Sequence, residues 1–363
     1  MLEIKDVSIR AGEFAVKGIS LNVEDSACHV IIGPTGSGKT IFLEAIMGFK
    51  KLSSGEIRLG KKNITDMPAE QRGISYLPQD LALFPHLNVK ENILYGLKIK
   101  GITDRQYFDL ADDLIDTLGI KHLLNRVTHN LSGGERQRVA LVRAIATGNK
   151  YLLLDEPFSA LHEGMKSELW FLLKELQERY RLTVLMVTHD VEEAFLLADT
   201  ISIMINGRLE QTGKKEEVYR YPATIDTAEF FGIRNLFDAE ITDKGNIVRC
   251  KELNAELFVK ASLDNRLKNL KIGIRAEDIM ILRTGRTITG QDNIIEGIIT
   301  DIFRKGATDI VLFKPQNSKR IIEIEMPFYA FQKLDIKKGL SAGVIIKAEC
   351  IFCLQNSHDQ EGY

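Results

Sequence analysis

Gly33-Pro34-Thr35-Gly36-Ser37-Gly38-Lys39-Thr40 is the stretch that decides the fold. It matches GxxxxGK[ST], in which glycines let the backbone turn tightly enough for successive N–H groups to face one phosphate. Before it runs Cys28-His29-Val30-Ile31-Ile32, an apolar stretch that reads as a buried strand. After it comes Ile41-Phe42-Leu43-Glu44-Ala45-Ile46-Met47, with helical spacing. A strand, a glycine turn and a helix in that order aim the positive end of the helix at the same phosphate. Lys39 can then reach the β- and γ-phosphates of a nucleotide, and the Thr40 hydroxyl can ligate Mg²⁺.

Working outward, Tyr151-Leu152-Leu153-Leu154-Asp155-Glu156 is a second apolar run, and it ends in two carboxylates. A strand of this kind presents Asp155 at the carboxyl edge of a parallel sheet, where such folds bind ligands. Asp155 is the candidate support for Mg²⁺, and Glu156 the candidate to orient or deprotonate an attacking water. Leu131-Ser132-Gly133-Gly134-Glu135-Arg136-Gln137 is another glycine turn entering a helix, with Ser132 as N-cap. It reads either as a plain helix start or as a second anion site made of helix N-terminal N–H groups, which one phosphate loop would not account for.

Thr183-Val184-Leu185-Met186-Val187 is a further buried-strand run, and residues 103–120 and 135–147 carry helical spacing. Gly48, Gly119 and Gly148 fall where helices would end. Apolar strands alternating with helices predict a mostly parallel sheet covered on both faces. After about Asn235 the texture becomes short β-rich runs: Ile272–Ile274, Ile279–Leu282, Ile294–Ile302, Ile310–Phe313, Ile321–Ile324 and Val344–Cys353. Such runs at short intervals predict a small antiparallel barrel or sandwich. The expected division is an α/β domain over 1–232 and an all-β domain over 235–363.

At 363 residues the length itself calls for about two domains. Lys and Arg number 48 against 50 Asp and Glu, a net charge of −2. That balance argues against affinity built on neutralising a nucleic-acid backbone. No apolar run approaches the roughly 18 residues of a membrane span, and the N-terminus lacks a signal-peptide core. A cytoplasmic chain is expected, with Cys28, Cys250, Cys350 and Cys353 reduced. Cys350 and Cys353 form a CxxC on what reads as one terminal strand from Gly343 to Leu354. They would point to opposite faces there, which makes them structural and not a metal or redox pair.

The order Gly33–Thr40, Gln79, Leu131–Gln137, Leu152–Glu156, His189 resembles the nucleotide-binding subunit of ATP-binding-cassette (ABC) transporters, over residues 1 to about 230. The resemblance implies an α/β P-loop NTPase cassette that hydrolyses ATP with Mg²⁺. It implies a homodimer in which two copies meet head to tail. Ser132, Gly133 and Gly134 of one copy then complete the ATP site on Lys39 of the other. Gln79 would sense Mg²⁺ and the transmembrane partner, and His189 would hold the γ-phosphate. Two positions depart from the family. Ala11 stands where an adenine-stacking aromatic is usual, so stacking passes to Phe14 or is absent. Ser159-Ala160-Leu161-His162 has histidine where the family usually has aspartate at the cross-dimer contact.

From about residue 235 the chain resembles the OB-like accessory domain of importer-type ATPase subunits. The stretches carrying this are Gly273-Ile274-Arg275-Ala276-Glu277-Asp278-Ile279 and Asn293-Ile294-Ile295-Glu296-Gly297. Such a domain serves as a dimerisation barrel or as a ligand sensor. Arg304-Lys305-Gly306-Ala307-Thr308 offers the cations, glycine and hydroxyl of an anion nest, or is a solvated hairpin turn. Phe303-Arg304-Lys305 is too little for a single-strand nucleic-acid groove. The resemblance implies a subunit peripheral to the cytoplasmic face of the cell membrane. Its partners would be integral-membrane permease subunits and an extracytoplasmic solute-binding protein, with no nucleic acid. The solute would be molybdate, tungstate or a related oxyanion, with polyamine, iron and sugar as alternatives. The rival from another class is a soluble ABC ATPase acting on nucleic acid or ribosomes, which usually carries two cassettes or a long coiled-coil insertion. Neither is visible in this sequence.

Overall fold

The computed structural model describes residues 1–243, 246–260, 269–282 and 292–354. Contacts divide the chain into two units, Met1–Val218 and Tyr219–Tyr363. Residues 219–232, grouped with the first domain on sequence, fall in the second unit. There Ala228 of the short helix Ile225–Phe230 packs with Ile233, Leu236, Phe352 and Leu354. Among the described residues no helix is long and apolar enough to cross a membrane.

The first unit is built on a six-stranded sheet. Its order is Arg208–Lys214, Thr200–Ile205, Cys28–Ile32, Thr183–Thr188, Tyr151–Asp155 and Ile74–Leu77. All neighbours are parallel except Arg208–Lys214, which returns antiparallel along the edge. Cys28–Ile32 and Thr183–Thr188 are buried at every position, as uninterrupted apolar runs require when both faces are covered. A second sheet, which the sequence did not announce, is antiparallel: Phe14–Val23, Leu2–Ala11, Ser54–Leu59 and Lys62–Asn63. The helix Lys39–Met47 lies between the two sheets, its Phe42, Leu43 and Ile46 in one core with Ile4, Val7, Ile31 and Leu185. Gly48 ends that helix in the left-handed region at φ 86°.

In register, Ile32 pairs with Thr188, Asp155 with Val187, and Leu77 with Leu154. Four neighbouring strands therefore finish level at one edge of the sheet. The segments that leave them begin with Gly33, His189, Glu156 and Pro78. That alignment is what assembles the candidate site.

Among its described residues the second unit is mainly antiparallel β, two five-stranded sheets enclosing one core of OB-like, barrel-like form, with the short helices Ile225–Phe230 and Phe328–Lys333 added to it. Three of its strands, Asn235–Ile241, Ile247–Cys250 and Ala255–Phe258, escape the sequence reading. The expected terminal strand from Gly343 to Leu354 is not continuous. Ser341–Lys347 belongs to one sheet, Ile351–Leu354 to the other, and a 3₁₀ turn at Ala348–Cys350 carries the chain between them. Cys350 therefore sits in a turn, while Cys353 lies on the last strand; burial raises both thiols, that of Cys353 to about 11.

The C-terminal motif residues hold this unit together. The Asn293 side chain accepts from Phe258 N at 2.6 Å and donates to the carbonyls of Phe258 and Ile346 at 2.9 and 3.1 Å. A Cβ on Gly297 would lie 2.2 Å from the Lys314 carbonyl, so only glycine fits there. Arg275 stacks 3.5 Å over the Tyr219 ring. The Arg304–Thr308 hairpin spends its polar groups on its own fold: Lys305 pairs with Glu325 at 3.5 Å, and Thr308 donates to Glu325 at 2.7 Å. Arg304 lies 3.5 Å from the buried Asp309. Its charges are balanced by carboxylates, which is a folded hairpin's arrangement and not that of an anion nest.

Candidate functional site

The phosphate loop is shaped by close backbone approach. A Cβ on Gly33 would lie 2.0 Å from the Met204 carbonyl, and Gly36 and Gly38 adopt φ of 83° and 101°. Lys39 is almost fully buried, and its ammonium donates to the carbonyls of Gly33 and Pro34 at 2.8 and 2.9 Å. Burial lowers its pKa, and the nearby charges of Glu156 and Asp155 act the other way. The Ser37 hydroxyl is buried with no hydrogen-bond partner. An orphaned hydroxyl and a buried cation inside a curl of backbone N–H groups fit an anion of phosphate size.

Asp155 faces this loop from the next strand but one. Its Oδ1 accepts from Thr40 Oγ1 at 3.0 Å and its Oδ2 from the Tyr76 hydroxyl at 3.2 Å. Burial raises its pKa, against the lowering effect of those two hydrogen bonds. Burial and the Asp155 charge also push the Tyr76 hydroxyl up, so it remains a donor. A carboxylate and a hydroxyl at hydrogen-bond distance are hard oxygen donors of the kind Mg²⁺ takes alongside phosphates. Among the described residues no group of three His, Cys, Asp or Glu forms a metal cage.

Glu156 follows in a left-handed conformation, φ 42°, its N–H donating to the Val187 carbonyl at 2.9 Å. For a non-glycine residue that conformation is costly, and the bond to Val187 on the neighbouring strand helps hold it. It turns the Glu156 carboxylate toward the strand ends. His189 Nδ1 lies 3.1 Å from Glu156 Oε2, and Gln79 Nε2 donates to the same oxygen at 3.5 Å. Thus Gly33–Thr40, Gln79, Asp155, Glu156 and His189 come from four parallel strands to one edge.

Ser132, Gly133 and Gly134 stand elsewhere. Ser132 caps the helix Gly133–Ile145 in a reciprocal box, Glu135 N donating to its hydroxyl and its own N–H to the Glu135 carboxylate. Gly133 and Gly134 face Leu161 and Met165, next to the loop that follows Glu156. His162 is the N-cap of the helix Glu163–Arg179 and makes no side-chain capping bond. Ala11 pairs across the hairpin with Phe14, whose ring lies against Gly38 of the phosphate loop.

Sequence reasoning missed Tyr76 as a partner of Asp155, although it lies three residues before Gln79. It also missed Lys166, Asp190 and Glu193 beside His189. Strand pairing joins Tyr76 to Asp155, and the packing of two helices joins Lys166 to Asp190 and Glu193.

An ABC transporter family model matches residues 16–159. A molybdate/tungstate import ATP-binding protein of Thermococcus kodakarensis is 39% identical over 281 residues, 77% of this chain and 83% of that relative. A spermidine/putrescine import ATP-binding protein of Photobacterium profundum is 36% identical over 278 residues, 74% of this chain and 73% of the relative. A dimeric ATP-binding cassette solved in a post-hydrolysis state with ADP and Pi is 28% identical, with a TM-score of 0.53. The match covers 59% of this chain and 99% of that one. Together with the level strand ends that bring Lys39, Asp155, Glu156 and His189 to one edge, these matches make the chain a member of the ABC transporter ATP-binding family, an ATPase built on the ABC cassette.

Proposed function

We propose that this chain energises import of molybdate, tungstate or a related oxyanion by hydrolysing ATP as a homodimer. The dimer would lie beneath a membrane permease at the cytoplasmic face, supplied by an extracytoplasmic solute-binding protein. The observation that carries the ATPase half is the Glu156 carboxylate, held 3.1 Å from His189 at the same sheet edge as Lys39. The oxyanion half rests on molybdate/tungstate relatives from Thermococcus kodakarensis and other archaea, at 37–46% identity.

In this reading the N–H groups of Gly33–Thr40 wrap the phosphates and the Lys39 ammonium exchanges its carbonyl partners for phosphate oxygens. Thr40, Asp155 and Gln79 would hold Mg²⁺, which would supply positive charge to offset that of the phosphates. Glu156 accepts a proton from the attacking water as the water's oxygen bonds to the γ-phosphorus and the bond to the leaving ADP oxygen breaks. His189 holds the γ-phosphate and steadies Glu156. Ser132, Gly133 and Gly134 of a second copy face the same γ-phosphate through their helix start. A groove of about 530 Å³ lined by Phe49, Tyr76, Pro78, Phe84 and Tyr95 adjoins Gln79 and is mostly apolar. It suits a cytoplasmic loop of the permease, which would feel any shift of Gln79.

Glu156→Gln should keep ATP binding and lower turnover by about 10²-fold or more. Lys39→Ala should weaken nucleotide binding itself, as read by titration with a fluorescent ATP analogue. A Glu156→Gln protein that turns over at the wild-type rate would overturn the assignment. For the solute, the complex with its permease in vesicles should show ATPase stimulation by binding protein loaded with tungstate. Stimulation by spermidine instead would favour the polyamine reading.

A further inference from the structure

His189 is half exposed, and Glu156 is the side chain placed to orient its ring. The two residues flanking it are held firmly. On one side, Thr188 Oγ1 donates to Glu193 Oε2 at 2.6 Å and accepts from Asp190 N at 3.0 Å. On the other, Asp190 caps the helix Val191–Leu197 and receives the Lys166 ammonium at 2.9 Å. Lys166 comes from the helix Glu163–Arg179, which begins seven residues beyond Glu156. Its ammonium also lies 3.0 Å from Glu163 and 3.8 Å from Glu193.

These groups are deeply placed: the Lys166 side chain is 11% exposed and that of Glu193 only 2%. An ammonium buried to that degree is tolerated only when paired. Burial opposes the Lys166 charge, and its bonds to Asp190 and Glu163 more than restore it. Burial raises the Glu193 carboxyl to about 7, with the Thr188 bond, Lys166 and His189 pulling it down and Asp190 pushing it up. The catalytic scheme proposed above uses none of these three residues.

We propose that Lys166 is a positioning residue for hydrolysis: through Asp190 and Glu193 it locks the turn carrying His189 onto the helix that follows Glu156. This rests on the role given to His189. The chain from Glu156 runs through Ser159–His162 into the helix of Lys166, and the chain from His189 runs directly into Asp190. Lys166 closes that loop and keeps the 3.1 Å approach of His189 to Glu156 fixed. Without it, Asp190 loses its ion pair, Glu193 is pushed further toward its neutral form, and nothing ties the turn to the helix of Lys166, so His189 would drift. A displacement of about 1 Å at such a site costs on the order of 10²-fold in rate.

The test uses the full chain, with kcat counted per molecule that binds nucleotide, so that unfolded protein drops out. Lys166→Met should lower kcat about 10- to 100-fold with KM for ATP within about twofold, and Lys166→Arg should recover most of the loss. In a His189→Ala background, adding Lys166→Met should change kcat by less than about twofold, because residues acting through one group are not additive. If Lys166→Met does not fold, Asp190→Asn replaces it, since asparagine keeps the helix cap while losing the charge. An unchanged kcat per site in Lys166→Met or its replacement, or the same loss repeated in the His189→Ala background, would overturn the proposal while leaving His189 in its role. A His189→Ala protein with the wild-type rate would instead remove that role and the positioning role together.

Discussion

Gly33 shows how a single side chain would close the site. Any Cβ there meets the Met204 carbonyl at 2.0 Å, so Gly33→Ala must push the phosphate loop away from the strand Thr200–Ile205. The cost of such overpacking is about 1–3 kcal/mol. Gly33→Ala should therefore melt at a lower temperature and bind ATP more weakly, whereas Lys39→Ala should lose binding with a smaller change in melting. His29, on the strand leading into the loop, makes a separate case. It is buried between the hydroxyls of Thr200 and Ser202 at 2.7 and 2.9 Å, and burial lowers its pKa from 6.5 to about 4. Between those values the unfolded chain takes up a proton that the folded chain refuses. Stability from this group is complete above about pH 6.5 and falls as the pH drops toward 4, at most about 1.4 kcal/mol per unit. Urea unfolding between pH 7.5 and 4.5 should show that slope, and His29→Gln should flatten it.

Among the elements, the helix Gly133–Ile145 has two claims on Ser132. As N-cap in a reciprocal box with Glu135, Ser132 is worth about 1 kcal/mol, which Ser132→Ala should remove in urea unfolding. As part of a proposed site for a second copy's γ-phosphate, it must also stay uncharged. Ser132→Asp separates these roles. Aspartate caps as well as serine and should leave the unfolding midpoint near wild type. Its carboxylate would repel the phosphate, so ATP-dependent association should be lost. Equal association of Ser132→Asp and wild type with ATP would show that the helix start is a cap and nothing more.

At the level of the whole molecule, the proposed pairing of the phosphate loop with Ser132–Gly134 would need two chains. Each ATP would be enclosed between the loop of one copy and the helix start of another, so association should depend on the γ-phosphate. Sedimentation of Glu156→Gln cut near residue 230, so that the barrel cannot pair by itself, should show a dimer with ATP and a looser species with ADP. The same size with both nucleotides at saturation would count against ATP-driven closure.

The local chemistry was legible in the sequence because each motif is contiguous. Gly33–Thr40 carries its own strand and helix, Leu152–Glu156 its own strand end, and Ser132–Glu135 its own capping box. Apolar runs such as Thr183–Val187 announced buried parallel strands, since only covered strands lose their polar alternation. The antiparallel sheet from Leu2 to Asn63 stayed hidden because its alternation is broken by register shifts near Val7. The crossing of the chain between two sheets at Ala348–Cys350 stayed hidden too, because both segments share one apolar texture. What the sequence by itself determined was which residues are the candidates for phosphate and proton chemistry. Only tertiary structure decided that Tyr76 bonds Asp155, that His189 meets Glu156, and that Lys166 ties the two segments together. Those contacts span from 24 to 79 positions of chain, a distance that strand order and register close and no local pattern encodes.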